Sequence, residues 1–494
     1  MTPGGTGPKP QPMIDLRPVA YVLGRILIVL ALLMLAPAVL DWRAGDPNGF
    51  DIFRAALITF FTGMAVALAT SNTGARSLDV RQAYLLTASI WIIAPLFAAL
   101  PLMLGAPGLP LAYAWFEAVS GLTTTGATVI VGLDNLPAGM NLWRVMCNWL
   151  GGLGIAFIAM IFLPLMRIGG MQFFRTEAFD TLGKALPRAA DIARQLLYIY
   201  VVLTFICIIT FLIIGMPPFI AVSHGLSAVS TGGFSPYDSS FSGYRGAGEY
   251  FGALFMFLGS LPFVRYVQMV NGQPMQFWRD QQIRSYLIWL LTAVLMVTLW
   301  RVLDKGTSFE PTFREALFNM TSIMSSTGTF SGDFSGWGGF ALVMALLIGI
   351  IGGCSGSTAA GLSVFRVQIA MAALRRQIGQ IFHPSQVSPI RYQARPVDED
   401  VIRAVTMYIA TYILLLGLVS VTLTLIGLDL QSALFAAWTC LGNIGYGFGP
   451  MVARTGTFID FPPAAIFVLS LTMIIGRLGI LTMLILLLPV FWRR

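Results

Sequence analysis

The chain has 494 residues, of which 56% are hydrophobic and only 11% charged, with a mean hydropathy of +0.79. Soluble globular domains carry roughly 25% charged residues, so a soluble enzyme is excluded and a polytopic membrane protein is indicated. The net charge of +8 would suggest nucleic acid in a soluble chain; here it reports orientation in a lipid bilayer, and no nucleic-acid partner is expected.

A Pro- and Gly-rich tail, 1–18, precedes apolar runs at 19–40 and 52–70, which form a two-helix addition over 19–82. The first run is too long for the apolar core of a signal peptide and reads as a retained helix. Further runs follow at 83–104, 142–166, 195–216, 250–271, 284–303, 337–378, 402–427 and 463–490. They divide the rest of the chain into four units, 83–170, 171–280, 281–390 and 391–494. Alternate loops collect Arg76, Arg81, Arg167, Arg175, Lys184, Arg188, Arg194, Arg279, Arg391 and Arg395. The positive-inside rule places these loops and both termini in the cytoplasm.

On the opposite side, each unit carries a short apolar stretch ending in hydroxyl or amide residues and glycine. These are FEAVSGLTTTGAT (Phe116–Thr128), VSHGLSAVSTGGF (Val222–Phe234), FNMTSIMSSTGTF (Phe318–Phe330) and FAAWTCLGNIGYG (Phe435–Gly447). Aligned on Gly126, Gly232, Gly328 and Gly445, they place Thr124, Ser230, Ser326 and Asn443 two residues earlier. Repetition of this kind implies a span, half-helix, span unit used four times. The predicted fold is therefore all-α: two N-terminal helices, then four pseudo-fourfold repeats around a central pore. Glycine leaves backbone free to approach an axis, and converging carbonyls can replace the water shell of a cation. A second reading of each stretch is a turn that merely caps its half-helix. The two roles are compatible.

The run 337–378 is broken at Gly352-Gly353-Cys354-Ser355-Gly356-Ser357-Thr358-Ala359-Ala360-Gly361. Such a cluster suits either a flexible break facing water or a kink for close packing. Arg477 falls within the last run, where an unpaired charge is costly, so a polar cavity or a partner is expected beside it. Glu117 is placed at the start of the first half-helix, suited to capping or to the electrostatics of the outer mouth. His224 and His383 are too far apart in sequence to suggest a metal site. Cys147, Cys207, Cys354 and Cys440 lie in or beside apolar runs and read as small buried side chains. No catalytic triad, zinc motif or nucleotide fingerprint is found, so neither an enzyme nor a cofactor is expected.

SGLTTTGATV (Ser120–Val129), STGGFS (Ser230–Ser235), GGCSGST (Gly352–Thr358) and GRLGILT (Gly476–Thr482) resemble motifs of the Trk/Ktr/HKT superfamily of potassium transporters. The two leading spans resemble those of its TrkH-type membrane subunits. The resemblance implies potassium uptake across a bacterial inner membrane, with potassium as substrate and one pore per chain. It implies a filter of backbone at Thr124, Thr125, Gly126 and Ala127; at Ser230, Thr231, Gly232 and Gly233; at Ser326, Thr327, Gly328 and Thr329; and at Asn443, Ile444, Gly445 and Tyr446. In plant relatives a serine at the first filter position accompanies sodium selectivity, so Gly126 implies potassium. The resemblance also implies that Gly352, Gly353, Cys354, Ser355, Gly356, Ser357 and Thr358 form an intramembrane gating loop beside Arg477. It further implies a homodimer and a cytosolic nucleotide-binding partner of the TrkA type. Ala359-Ala360 stands where many members have glycine. Sodium- or proton-coupled symport on the same fold is the alternative mechanism.

Overall fold

The computed structural model describes residues 14–73, 79–157, 189–384, 389–393, 395–479, 483, 485–486 and 488–493. Arg76, Arg167, Arg175, Lys184 and Arg188, assigned above to cytoplasmic loops, lie outside them.

The N-terminal addition is α1 (Arg17–Leu33), α2 (Leu35–Ala44) and α3 (Asn48–Ala69). A Cβ on Gly24 would stand 2.8 Å from the Gly63 carbonyl, and one on Gly63 would stand 2.8 Å from the Gly24 carbonyl. Small residues let these two backbones touch, which is how apolar helices associate where no hydrophobic drive separates them from lipid. Buried Asp41 ties the addition to the rest of the fold, accepting from Asn48 Nδ2 at 2.7 Å and from the Gly139 N–H at 2.5 Å.

The first repeat comprises α4 (Val80–Ala98), the half-helix α5 (Leu111–Leu122) and α6 (Ala138–Phe157). Asp79 and Gln82 form a reciprocal capping box that starts α4. The second repeat has α7 (Ala189–Ile213), the half-helix α8 (Pro218–Ser230) and a bent pair, α9 (Ala247–Gly259) and α10 (Phe263–Val270). The run 250–271 is therefore not one straight span: it turns by 88°. Pro262 prevents continuation of the i to i−4 ladder, and the backbone freed at Ser260 is used elsewhere, as described below.

The third repeat has α11 (Gln281–Lys305), the half-helix α12 (Phe309–Met324), α13 (Gly339–Ile351) and α14 (Val364–Phe382). The fourth has α15 (Glu399–Leu425), the half-helix α16 (Leu430–Leu441) and α17 (Pro463–Leu478). Asp429 caps α16 through the Ser432 N–H at 2.9 Å, and its bonds to Ser432 hold its carboxyl below the usual range. Six helices are long and apolar enough to cross a membrane among the described residues, at sites matching runs one, two, three, five, seven and nine. The tenth run departs from expectation: α17 ends at Leu478, with Gly479 at φ 83°. Arg477 thus occupies the last turn of α17.

Polarity is inverted relative to a soluble protein. Phe61, Phe205, Ile213, Leu303, Leu414 and Leu425 are exposed, whereas Thr124, Thr125, Asn148, Ser230, Thr327 and Asn443 are buried. Lipid solvates the former, while the latter must find partners inside the protein.

Candidate ion-conducting site

The four half-helices end in the same way. In each, one residue takes a left-handed conformation: Thr124 (φ 53°), Thr231 (φ 51°), Ser326 (φ 55°) and Asn443 (φ 48°). Its N–H bonds to the carbonyl three residues back, and the next N–H bonds to the carbonyl five back: Thr125 to Ser120 at 2.8 Å, Gly232 to Ser227 at 2.9 Å, Thr327 to Ser322 at 2.7 Å and Ile444 to Thr439 at 2.8 Å. These are four Schellman caps, normally built on glycine. Threonine or serine at such a position costs roughly 1–2 kcal/mol, so the conformation is imposed by the surroundings, as is common at functional sites.

Two residues beyond each cap stands a glycine with positive φ: Gly126 (81°), Gly233 (83°), Gly328 (79°) and Gly445 (82°). The second segment therefore sits one residue later than the sequence alignment on Gly232. Ser230 is the last helical residue there, and Phe234 takes the place corresponding to Ala127. STGG offers two glycines and sequence cannot choose between them; packing does. A Cβ on Gly232 would run into the side chain of Asn148, so Gly232 makes room for Asn148 while Gly233 supplies the torsion.

The glycines close a ring in chain order. A Cβ on Gly126 would meet the Gly232 carbonyl at 2.5 Å; on Gly233 it would overlap the Thr327 carbonyl, on Gly328 the Ile444 carbonyl, and on Gly445 the Thr125 carbonyl. All four glycines line one cavity of about 600 Å³, whose charged lining is Arg144, Asp238 and Asp333. Backbone oxygens gathered this tightly offer a coordination shell for a dehydrated cation. Thr329 and Tyr446 follow the ring; Tyr446 is buried and packs edge-on to Phe330, with centroids 5.7 Å apart.

Buried polar struts hold the ring. Asn148 donates to the Gly121 carbonyl at 2.9 Å and accepts from the Phe234 N–H at 3.0 Å, joining repeats one and two. Asn443 Nδ2 donates to Thr125 Oγ1 and to the Met473 carbonyl, both at 2.9 Å, joining repeat four to repeat one. Glu117 differs from its sequence assignment: α5 begins at Leu111, so Glu117 lies inside the helix, not at its N-terminus. Its carboxylate pairs with Arg144 at 2.9 Å and accepts from Thr128 Oγ1 and the Val129 N–H, both at 2.9 Å. Arg144 in turn donates to the Ser235 carbonyl at 3.0 Å and covers the Phe234 ring. Sequence reasoning does not single out Arg144 and Asn148. The one signal present is three polar residues, Asn141, Arg144 and Asn148, on one face of an otherwise apolar helix.

Replacing Glu117 with Gln leaves the Arg144 charge buried without its carboxylate, at an expected cost of about 3–5 kcal/mol. Thermal unfolding in detergent should show a large fall in midpoint. Asp51→Asn, which breaks a pair whose Arg54 is 71% exposed, should change stability by less than about 1 kcal/mol. Equal shifts in the two variants would contradict the assignment.

Beneath the ring lies the break in the eighth run. Residues between Ile351 and Val364 are not helical, and their backbone is tied down at both ends: Gly353 N–H to Ala360 O at 3.3 Å, Ser363 N–H to Ile351 O at 2.8 Å and Val364 N–H to Gly353 O at 2.9 Å. The bend between α9 and α10 receives the segment, with Cys354 N–H bonded to Ser260 O at 3.1 Å and Phe263 N–H to Gly356 O at 2.9 Å. Gln282 Oε1 accepts from the Ser355 N–H at 2.9 Å. Two contacts reach the half-helix caps: Thr231 Oγ1 to Thr358 Oγ1 at 3.1 Å and Ala360 N–H to Ser326 Oγ at 2.6 Å. Arg477 Nη2 donates to the Thr358 carbonyl, so Thr358 joins the second cap, the broken segment and α17.

The other expectations are placed as follows. His224 is buried edge-on against Phe241, with ring centroids 4.8 Å apart. All four cysteines are buried and unpaired. Among the described residues no group of three or more His, Cys, Asp or Glu side chains could hold a metal ion.

Residues 48–492 match the family model TrkH, described as cation transport protein. The chain belongs to the TrkH family. It is a multi-pass membrane protein, and its relatives are named as transport proteins rather than enzymes. The Trk system potassium uptake protein TrkI of Halomonas elongata is 37% identical over 486 residues, covering 97% of each chain. The Trk system potassium uptake protein TrkH of Escherichia coli is 31% identical over 488 residues, 97% of this chain and 99% of that one. The crystal structure of the potassium transporter TrkH from Vibrio parahaemolyticus superposes with a TM-score of 0.88 at 31% identity, covering 97% of this chain and all of that one. The all-α membrane fold read from the sequence therefore has a crystallographic counterpart within the family.

Proposed function

We propose that this chain takes up potassium across the bacterial inner membrane through a channel-like pore, with both termini cytoplasmic. The observation that carries the reading is the closed ring of Gly126, Gly233, Gly328 and Gly445 lining a single cavity. The filter comprises Thr124–Ala127, Thr231–Phe234, Ser326–Thr329 and Asn443–Tyr446, and the C-terminal ends of four half-helices add a negative potential that favours a cation. Strained caps held by buried struts keep the oxygens in place when no ion is bound, which is the preorganisation that selective coordination needs. The break at Gly352–Gly361 and Arg477 act as the gate. The names of the relatives supply potassium as the ion. Association as a homodimer with a cytosolic nucleotide-binding subunit of the TrkA type belongs to the same proposal.

Flux of potassium, rubidium and sodium into proteoliposomes, with and without an opposing proton gradient, tests it. Potassium flux that follows its own gradient alone is the expected result; flux that requires a sodium or proton gradient would replace the pore by a symporter. Gly126→Ser adds a side chain against the Gly232 carbonyl, at 2.5 Å the least severe of the four ring contacts. It should fold and lower potassium over sodium discrimination on the order of tenfold, about 1.4 kcal/mol. Unchanged selectivity would count against the filter.

A further inference from the structure

Below the broken segment a cavity of about 80 Å³ is lined by two guanidinium-bearing residues, Arg366 and Arg477, together with Ser355, Ser357, Ser363 and Tyr408. No carboxylate lines it among the described residues. Arg477 spends one N–H on the Thr358 carbonyl, while its Nε and Nη1 are buried without a partner. Arg366 is also buried: it donates to the Leu362 carbonyl at 2.8 Å and to Ser363 Oγ at 3.3 Å, and lies 4.0 Å over the Tyr408 ring. Ser363 Oγ additionally accepts from Ser355 Oγ at 2.8 Å, and neither of these bonds uses its own proton.

Two cations beside one small cavity repel each other, and Arg477 has lost hydration at two nitrogens that have no partner. An unpaired buried charge costs several kcal/mol unless an opposite charge or a set of hydrogen bonds replaces the water. Arginine donors directed at an anion make charge-assisted bonds, about twice as strong as neutral ones. The space exceeds the roughly 30 Å³ of one water molecule and is closed above by the broken segment.

We infer that this cavity binds a small inorganic monoanion, with chloride as the physiological candidate, held by Arg477 and Arg366 with help from Ser363. The anion offsets the mutual repulsion of the two guanidinium groups, leaves one net positive charge beneath the segment, and fastens α14 to α17 across the cavity. Its occupancy can be read without flux.

The probe is bromide, introduced into crystals of the full-length protein and located by anomalous scattering. A bromide peak between the Arg366 and Arg477 guanidinium groups is expected, and its absence, with water alone in the cavity, overturns the inference. In detergent at fixed potassium, exchanging gluconate for chloride should raise the thermal midpoint of the unmodified protein. Arg477→Met and Arg366→Gln should each weaken this chloride response about tenfold or more, whereas Arg477→Lys, which keeps the charge, should retain most of it. An identical chloride response in all four proteins would reveal a general salt effect and overturn the site. Should Arg477→Met fail to fold, the bromide peak and the Arg366→Gln response decide the matter.

Discussion

Substituting Gly328 with alanine is expected to reduce potassium flux below roughly one-tenth of normal, the largest loss among the ring positions considered. Gly328 has φ 79°, a region in which a side chain costs roughly 1–2 kcal/mol even in open space. Space is also lacking, because the added carbon would overlap the Ile444 carbonyl and approach Gly445 Cα at 3.3 Å. Ile444 cannot yield cheaply: its N–H completes the cap of α16 at 2.8 Å, and its neighbour Asn443 is bonded to Thr125. The strain must therefore open the ring between repeats three and four, at the oxygens proposed to coordinate the ion. Gly243→Ala is the control, since nothing lies within 4 Å of its added carbon. Rubidium flux, scored only for protein that remains monodisperse and retains its thermal transition, separates loss of the filter from loss of the fold. Equal flux in the two variants would remove the ring from the pathway.

Replacing Arg477 with alanine should have the opposite effect and raise basal flux. A unit charge about 6 Å from a passing cation, at an effective dielectric constant of about 20, opposes it by roughly 2.8 kcal/mol, or about 100-fold. The guanidinium also secures the broken segment through the Thr358 carbonyl, and Thr358 Oγ1 donates onward to Gly259 O at 2.9 Å. Removing it deletes both the barrier charge and one anchor. Arg477→Lys should keep most of the electrostatic term while losing the geometry of the anchor, so its flux should fall between the two. Flux from folded Arg477→Ala protein at or below the unmodified level would defeat the gate assignment.

Much of the site is legible in the amino-acid sequence. Four similar segments mark the half-helix ends, and the cluster at 352–361 marks the break, because several glycines and hydroxyl residues in direct succession are poor helix interior. The register of the second segment is not legible there, since Ser230-Thr231-Gly232-Gly233 accommodates either glycine on the axis. Glu117 reads as a helix start because its partners, Arg144 and Thr128, are 27 and 11 residues away, beyond any local pattern. The 88° turn after Gly259 is hidden inside a run whose hydropathy is continuous. Arg477 stands out as a costly charge, yet its position at a helix end depends on Gly479, whose torsion composition does not reveal.

Composition and periodicity by themselves determined that this chain lies in a membrane and where four similar half-helix segments fall along it. With 11% charge, lipid selects the spans locally, one run at a time, so they can be read along the chain. Only the tertiary structure decided which glycine joins the ring, which buried charges pair, and that Arg477 and Arg366 share a cavity. Those outcomes follow from steric and electrostatic contacts between segments that lie from tens to more than a hundred residues apart, and a local pattern does not encode such contacts.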